Sequence, residues 1–202
     1  NGTLIISGNT YMPDYTAKTA PWFAQVDEIK AIVIEDGIKS IGKYAFSYLD
    51  KATTVEIADT VTKIAPYAFY GAGLKEVTIP DSVTSIGWRA FEYCKKITVI
   101  NLPPSVREVG DYAFGQINSL RTLHLPDSLE KIPIGMAHNA HQLTRVALPP
   151  KVRVLPLDVF ASCIALKEVI LPPHLERIER GVFWECRKLP QITLPATMKY
   201  IG

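Results

Sequence analysis

Several features that mark familiar protein classes are scarce or missing in this sequence. It has three cysteines in 202 residues, which is too few for a disulfide scaffold, and an odd number cannot all pair with one another. It contains no apolar run of about 18 residues, the length that a membrane-spanning helix needs, and no signal peptide is visible. The sequence therefore predicts no membrane insertion by this segment, and the cysteine count leaves the redox compartment open.

An excess of charge of one sign is also missing. The 22 basic and 20 acidic residues give a formal net charge of +2, and they are scattered along the whole chain instead of forming a basic stripe. A stripe of that kind is what recognises a phosphate backbone or an anionic membrane. We therefore expect no nucleic-acid partner. Because 48% of the residues are hydrophobic, the chain is expected to fold around a sizeable core.

Motifs for catalysis and cofactor binding are not found in the sequence. It has no serine elbow, no glycine-rich phosphate loop and no H-E-x-x-H zinc motif. His138 and His141 are the one pair near metal-ligand spacing, and no acidic or cysteine partner accompanies them at a diagnostic distance. We interpret them as loop residues, and we expect a protein that is not an enzyme and has no cofactor and no metal site.

Proline, by contrast, is abundant and periodic. Six prolines follow one another at intervals of 23 residues: Pro80, Pro103, Pro126, Pro149, Pro172 and Pro195. A phenylalanine recurs with nearly the same period: Phe46, Phe69, Phe91, Phe114, Phe160 and Phe183. A period in this range indicates a solenoid. The fifth repeat has Ala137 in place of phenylalanine, so we expect looser packing there, with Met136 as a flexible filler.

The repeat that contains Val77–Ile79 shows how each unit is expected to fold. Its apolar residues alternate at the strand period, and Pro80 then removes a backbone donor and ends the strand. A second extended stretch, 83–86, leads to Gly87, which is expected to permit a turn geometry forbidden to larger residues. A compact half-turn then directs Phe91 inward. Because one unit buries too little apolar surface to offset the entropy of ordering it, units are expected to be stable only when stacked.

The V-x-I/L-P strand end, the x-x-V-x-x-I-G segment and the A-F-x-x-C turn resemble the BspA-type leucine-rich repeats of bacterial surface proteins. The resemblance covers nearly everything from Ile32 to Gly202, in about eight units of which the last is incomplete. It implies a repeat solenoid: a right-handed, leucine-rich-repeat-like coil of mainly short β-strands with turns or short helical turns. Residues 31–202 would form the solenoid, and residues 1–30 would form an N-terminal capping segment in which Trp22 covers the first repeat.

The same resemblance implies an extracytoplasmic location, secreted or on the cell surface, and an adhesion-type function without chemistry. The partner would be a protein or a glycan, bound by a curved β-sheet face. The alternative is a structural spacer or stalk that has no ligand of its own. The C-terminal half-repeat predicts either a chain that continues beyond residue 202 or a blunt cap, assisted by self-association through the unpaired strands.

Outward residues on the first strand of each unit are expected to form columns across the sheet, where solenoids commonly bind their partners. One stretch of these columns mixes apolar, cationic and anionic side chains, as a protein-binding patch with a charged anchor does. We therefore predict six partner-binding residues: Val99, Thr122, His124, Arg145, Glu168 and Ile170. The alternative is an ordinary solvated sheet face, because outward strand positions are commonly polar.

A further outward column alternates in sign over its last five members: Arg107, Glu130, Arg153, Glu176 and Lys199. Because stacked opposite charges attract, we interpret this column as a device that fixes the strand register, with no part in ligand binding.

The cysteines, two tryptophans and the first residue lead to three further predictions. The cysteines share one repeat position, Cys94, Cys163 and Cys186. Apolar residues stand there in other units, so we expect buried free thiols, with a Cys163–Cys186 disulfide as the alternative. Trp88 and Trp184 are either outward contacts or partial core. Asn1 begins a glycosylation sequon.

Overall fold

A computed structural model describes residues 2–202 as a solenoid of about seven coils of ~23 residues. Asn1 and its sequon lie outside the described residues. Within 2–202 the only helix is a 3-10 helix, Pro21–Gln25. The strands are β1 (Thr3–Ile6), β2 (Ala31–Ile34), β3 (Ser40–Ile41), β4 (Thr54–Ile57), β5 (Lys63–Ile64), β6 (Ser85–Ile86), β7 (Val99–Asn101), β8 (Glu108–Val109), β9 (Thr122–His124), β10 (Arg145–Ala147), β11 (Val154–Leu155), β12 (Glu168–Ile170), β13 (Arg177–Ile178) and β14 (Tyr200–Ile201). The predicted repeat solenoid is confirmed.

The strands form two parallel sheets that run along the solenoid. The first sheet contains β1, β2, β4, β7, β9, β10 and β12, and the second contains β3, β5, β6, β8, β11, β13 and β14. Each strand pairs with its counterpart in a neighbouring coil, so that Ile32 lies opposite Val55 and Ile64 opposite Ile86. Along β2 the residues alternate between half-buried and buried, which is the period of a strand with one face on the core.

Stacked phenylalanine rings fill the core inside the coils. The ring centroids from Phe46 through Phe69 and Phe91 to Phe114 are 5.3, 5.1 and 5.8 Å apart, and the rings are nearly parallel. Phe160 and Phe183 form a second stack with a spacing of 6.1 Å. The predicted alignment of the aromatic column along one axis is confirmed on both sides of the fifth coil.

Trp22 extends this column at its N-terminal end. Its ring stacks on Phe46 with centroids 5.6 Å apart, and its Nε1–H donates to the Ala45 carbonyl at 2.8 Å. In the same segment, β1 pairs with β2 and Tyr11 bridges Ser40 at the edge of the second sheet. The segment therefore contributes to both sheets and to the aromatic column, and the predicted packing of Trp22 over the first repeat is confirmed.

A third ladder of backbone hydrogen bonds joins the turns that carry the phenylalanines. For example, the N–H groups of Tyr67, Phe69 and Gly71 donate to carbonyls of the next coil at 2.8–2.9 Å. The two positions that flank the inward residue have left-handed backbone in every coil: Tyr44, Tyr48, Tyr67, Gly71, Arg89, Tyr93, Tyr112, Gln116, Gly135, Asn139, Asp158, Ser162, Gly181 and Glu185. These reversals of the chain turn both flanking N–H groups toward the neighbouring coil.

The turn role predicted for Gly87 is wrong. The left-handed residues of its coil are Arg89 and Tyr93, whereas Gly87 is constrained by space. A Cβ atom on Gly87 would lie 2.4 Å from the backbone nitrogen of Pro66, a distance that van der Waals radii forbid. Glycine stands at this position because two backbones approach closely there.

The fifth coil interrupts both sheets. In a regular coil, the residue after the second strand donates a hydrogen bond to the preceding coil, as the Gly110 N–H does to the Ile86 carbonyl at 2.8 Å. Pro133 and Pro156 stand at this position and have no N–H. The second sheet is consequently broken between β8 and β11. The first sheet is broken between β9 and β10, and it is also broken between β4 and β7, where the third coil has no strand. A cleft of about 480 Å³ lies beside Ile132 at the break in the second sheet.

The core of the fifth coil nevertheless remains filled. Met136 and Ala137 are both fully buried. Other coils have a small residue followed by phenylalanine at these two positions, so the larger side chain enters the core from the neighbouring site. The filler role predicted for Met136 is confirmed, and the interruption of this coil lies in its sheets.

The alternating charge column exists at its C-terminal end but not at Glu130. Glu176 binds both neighbours, Arg153 at 2.7 Å and Lys199 at 2.9 Å. Glu130 instead binds Lys151 at 3.0 Å, so its predicted place in the column is wrong. Glu130 and Arg153 both line the cleft at the break in the second sheet, so the strand pairing that aligns Arg153 with Glu176 is missing at Glu130.

Exchanging the two core residues of the fifth coil tests how its core is filled. Ala137→Phe alone overfills the space that Met136 occupies and is expected to lower the free energy of unfolding by about 1–3 kcal/mol. Adding Met136→Ala restores the order found in other coils and should recover most of this loss. Urea unfolding of both variants provides the measurement. Equal stability of the single and double variants would contradict this account of the core.

The missing backbone donors make a second prediction. Amides at 130–132 should exchange with solvent faster than those of β8, because no ladder protects them. Pro133→Gly returns an N–H at the position where Gly110 has one, and it should slow exchange in that segment. Hydrogen exchange measured by mass spectrometry decides this, with β13 as an internal reference. Unchanged protection in the glycine variant would show that proline is not the cause of the break.

The charge column makes a third prediction, at Glu176. Hydrogen bonds from Lys199 and Arg153 lower the pKa of this carboxyl. Its contribution to stability is therefore present above the pKa of the unfolded chain and lost as pH falls through the lower, folded value. Glu176→Gln should reduce the melting temperature at neutral pH and low salt, and it should reduce it less in acid or at high salt. Glu108→Gln is the control, since within residues 2–202 Glu108 forms no ion pair; a loss of equal size in this control would contradict the prediction.

Candidate binding surfaces

The six residues predicted to bind a partner lie on the outer face of the first sheet. Val99 is on β7, Thr122 and His124 are on β9, Arg145 is on β10, and Glu168 and Ile170 are on β12. Five of the six are exposed and Thr122 is half-buried. We call this set the sheet patch.

Strand pairing brings most of the sheet patch together in twos. Val99 lies opposite Thr122, and Arg145 lies opposite Glu168. The Arg145 guanidinium donates through Nε to the Glu168 carboxylate at 2.9 Å, and both side chains are more than half exposed. The cation predicted as an anchor for a partner is therefore already paired with an anion of its own chain, and such an exposed pair is worth about 0.2–1 kcal/mol.

A cleft of about 280 Å³ crosses the sheet patch where β9 and β10 fail to pair. Thr122, His124 and Arg145 belong to its lining. The exposed apolar residues Val99 and Ile170 lie on either side of it, one on β7 and the other on β12. The sheet patch therefore contains a depression whose lining three predicted residues share.

The turns carry a second candidate surface, which sequence reasoning missed. Seven aromatic side chains meet on this side of the solenoid, and we call them the tyrosine face: Tyr44, Tyr48, Tyr67, Tyr70, Trp88, Tyr93 and Tyr112. Five of them occupy left-handed positions that flank a buried phenylalanine: Tyr44, Tyr67 and Tyr112 before it, and Tyr48 and Tyr93 after it.

The rings of the tyrosine face pack on one another from coil to coil. Tyr44 and Tyr67 stack in parallel with centroids 4.5 Å apart. Tyr70 makes edge contacts at 5.4 Å with Tyr48, Tyr67 and Tyr93. Trp88 contacts the Tyr67 ring at 5.0 Å. The stacking of coils therefore places tyrosines of successive repeats within van der Waals reach, and burial in this cluster raises the pKa of Tyr70 to about 12.

Arg89 and Glu92 connect this cluster to the core. The Arg89 guanidinium lies between the rings of Trp88 and Tyr112, 5.0 and 4.9 Å from their centroids, and it binds the Glu92 carboxylate at 2.9 Å. The Glu92 side chain is only 4% exposed, and burial raises its pKa against the lowering effect of Arg89. The Arg89 Nε is buried without a hydrogen-bond partner. The pair holds the arginine in place across the aromatic rings.

A sequence signal for the tyrosine face existed. Six of the nine tyrosines fall between residues 44 and 112, and five of them lie two residues before or after the inward phenylalanine. Tyrosine therefore follows the period of the repeat, as the apolar and charged columns do. The two tryptophans left open by the sequence are outward: Trp88 is 44% exposed and Trp184 is 64% exposed.

The three cysteines are buried free thiols, as the sequence predicts. Each Sγ lies within hydrogen-bond distance of a carbonyl in the preceding coil, at 3.0 Å for Cys94, 3.3 Å for Cys163 and 3.2 Å for Cys186. Burial raises the pKa of all three thiols, that of Cys186 to about 11. A thiol that is buried and protonated is a poor nucleophile, so these residues serve as small core residues.

The histidine pair in the fifth coil belongs to a network of amide side chains. His138 Nε2 lies 2.8 Å from Gln116 Nε2, and His141 Nδ1 lies 3.2 Å from Asn118 Nδ2. Burial lowers the pKa of His138. Across residues 2–202 no group of three histidine, cysteine or acidic side chains converges as a metal site would require. The same part of the chain contains no helix with the length and apolar character that crossing a bilayer demands.

Comparison with known proteins agrees with this architecture. The chain is similar to a leucine-rich repeat protein from Bacteroides ovatus, with 26% identity and a TM-score of 0.83 over 98% of this chain and 53% of that one. It is also similar in fold to a leucine-rich repeat protein of T. pallidum, with 23% identity and a TM-score of 0.63 over 94% and 78% of the two chains. The chain thus spans about half the length of the first relative. No curated protein matches its sequence.

Residues 19–139 and 136–202 match the BspA type leucine-rich repeat region, in six copies. The match covers most of the chain and includes strands β2 to β14, the inward phenylalanines and the left-handed turns described above. The chain belongs to the BspA-type leucine-rich repeat family.

Proposed function

We propose that this chain is a non-enzymatic, extracytoplasmic binding domain that presents the outer face of its first sheet to a protein or a glycan. In this proposal residues 1–30 are the capping segment and residues 31–202 form the solenoid that carries the binding face. The proposed location, secreted or on the cell surface, follows from membership of a family of bacterial surface repeats. The proposed activity is adhesion.

The depression in the sheet patch is the observation that carries the proposal. Depressions of about 240–650 Å³ occur at several places along this side of the solenoid, and the one between β9 and β10 is lined by Thr122, His124 and Arg145 of the sheet patch. Concave sites with a few convergent polar groups bind ligands better than flat surfaces do. Val99 and Ile170 add exposed apolar surface at 40% and 42% of their full accessibility.

The chemistry of the buried groups supports a binding function over catalysis. The cysteines are buried and protonated, and the Glu92 carboxylate is paired with Arg89 inside the turn cluster. A nucleophile needs a base within hydrogen-bond reach and access to substrate, and neither condition is met at these side chains. The sheet patch offers hydrogen-bonding and apolar groups, which suit recognition.

The proposal is tested by measuring binding of the purified chain to a panel of extracellular-matrix proteins and glycans. We expect saturable binding to at least one member of the panel. His124→Ala combined with Ile170→Ser should weaken it by about tenfold or more, as truncation of interface hot spots does. Thr54→Ala combined with Glu56→Gln is the matched control, because both residues are exposed on β4 of the same sheet, outside the sheet patch.

Absence of saturable binding across the panel would favour the alternative of a spacer or stalk. Equal weakening by the two double variants would show that the sheet patch is not the site. Melting curves of both variants exclude loss of fold as the cause of a change in binding.

A further inference from the structure

We propose that the cleft at the break in the second sheet binds a small amphiphilic carboxylate, a molecule with one negative head group on an aliphatic body. The cleft has a volume of about 480 Å³ and lies between segment 130–132 of the fifth coil and segment 151–156 of the sixth. We call it the second-sheet cleft. It is on a different sheet from the sheet patch, so the inference stands independently of the function proposed above.

The backbone beside the second-sheet cleft lacks the hydrogen bonds that close a regular sheet. Between β6 and β8, the Thr84 carbonyl accepts hydrogen bonds from the N–H groups of Arg107 and Glu108 at 2.9 and 3.3 Å. The equivalent N–H groups of the sixth coil, those of Arg153 and Val154, have no such acceptor within residues 2–202. In a regular coil these groups point toward the preceding coil, which here lies across the cleft. Two neighbouring backbone donors therefore remain for a bound acceptor.

The side chains that line the cleft include one cation without a partner. Glu130, Lys131, Lys151 and Arg153 are the charged residues of the lining. Glu130 binds Lys151 at 3.0 Å, and Arg153 binds Glu176 at 2.7 Å. Lys131 is exposed and forms no ion pair within residues 2–202. The lining therefore offers one uncompensated positive charge, which matches a monovalent anion.

Acidic residues of the adjoining coils do not cancel this charge. Three of them lie on or beside β8 and β13, and each has a cation of its own next to it: Glu108 beside Arg107, Glu176 bound to Arg153 and Lys199, and Glu179 bound to Arg177. Glu130 itself is subject to the surplus of cations. The hydrogen bond and charge of Lys151, together with the charges of Arg107 and Lys131, lower the pKa of its carboxyl. The potential at the cleft is therefore positive although a carboxylate lines it.

The remaining residues of the lining are apolar. Val154 is 40% exposed on β11, Pro156 is half-buried, and Ile132 is buried. Lys131 and Lys151 add aliphatic stems, which cover apolar surface while their ammonium groups stay in water. Clefts of roughly 300–1,000 Å³ with a mainly apolar lining and a few polar groups are typical of small-molecule sites. A fully hydrophilic anion would leave this apolar surface unused, whereas an aliphatic body covers it.

The donors and the apolar residues together assign a place to each part of the ligand. Its carboxylate accepts hydrogen bonds from the N–H groups of Arg153 and Val154 and from the Lys131 ammonium, and bonds to an ionised acceptor are stronger than neutral ones. Its aliphatic body packs on the Val154 side chain and on Pro156. The head group and the body are both needed for tight binding, because each uses a different part of the cleft.

Calorimetric titration of the intact chain with octanoate tests this proposal. The comparison ligands are 1-octanol, which lacks the charge, and acetate, which lacks the aliphatic body. We expect octanoate to bind saturably and more tightly than either. Lys131→Gln should weaken octanoate binding by about tenfold, because a hydrogen bond to a charged group is lost, and Lys131→Arg should retain most of the affinity. Lys63→Gln is the matched control, since Lys63 is exposed on β5 of the same sheet and forms no ion pair within residues 2–202.

Three results would overturn the proposal. These are no saturable binding of octanoate, equally tight binding of 1-octanol, and a Lys131→Gln variant that binds octanoate as the Lys63→Gln variant does. Thermal unfolding of every variant separates loss of the cleft from loss of the fold. Substitution of His124 and Ile170, which belong to the sheet patch, should not change the binding of octanoate.

Discussion

The hydrogen-bond ladder between successive turns is the constraint on which the rest of the molecule depends. It continues through the fifth coil, where Gly135, Ala137 and Asn139 donate to the next coil at 3.0, 3.0 and 2.8 Å, although both sheets are interrupted there. Because each donor requires an acceptor at the same place in the next coil, every coil must repeat the same turn. This turn geometry requires the left-handed residues that flank each inward side chain. It also stacks the phenylalanines of successive coils on one another.

Each coil therefore contributes one residue to each column of side chains on the surface. Side chains that share a repeat position come within contact distance of one another, as the 4.5 Å stack of Tyr44 on Tyr67 and the binding of Glu176 to both Arg153 and Lys199 show. Core positions have little freedom, because the inward side chains must fill a space of constant size. Outward positions accept a wider range of side chains. Outward positions in the turns are more restricted than those in the sheets, because their residues must also tolerate a left-handed backbone.

Much of the fold could be predicted from the period alone. The spacing of prolines and phenylalanines predicts two short strands and a turn in each coil, and the shared position of Cys94, Cys163 and Cys186 predicts their burial. The left-handed residues could not be found in this way, because tyrosine and arginine rarely adopt that conformation and nothing local marks them. The sequence predicts the special turn geometry at Gly87 instead, although the constraint on Gly87 is the close approach of Pro66.

The candidate sites were less predictable for a related reason. The sequence placed the sheet patch correctly on outward strand positions, but it could not show that Arg145 would be paired with Glu168 or that the ladder would break beside His124. The break in the second sheet could be predicted, because Pro133 and Pro156 interrupt a column that holds glycine in several other coils, and proline cannot donate. The displacement of Glu130 toward Lys151 lies at the same break.

The fifth coil also relates the two candidate surfaces to one another. The sheet patch extends across its interrupted first sheet, and the tyrosine face ends beside it, where Tyr112 contacts His138 with centroids 5.9 Å apart. At the fifth coil the hydrogen-bond ladder is continuous along the turns and interrupted in both sheets. The solenoid should therefore bend most easily there in the direction that opens or closes the sheets while the turns act as the hinge. Bending of that kind would change the width of the cleft between β9 and β10 while leaving the packed tyrosines in place, because their ladder is the unbroken one. We therefore expect the cleft of the sheet patch to vary in width more than the spacing of the packed tyrosines does.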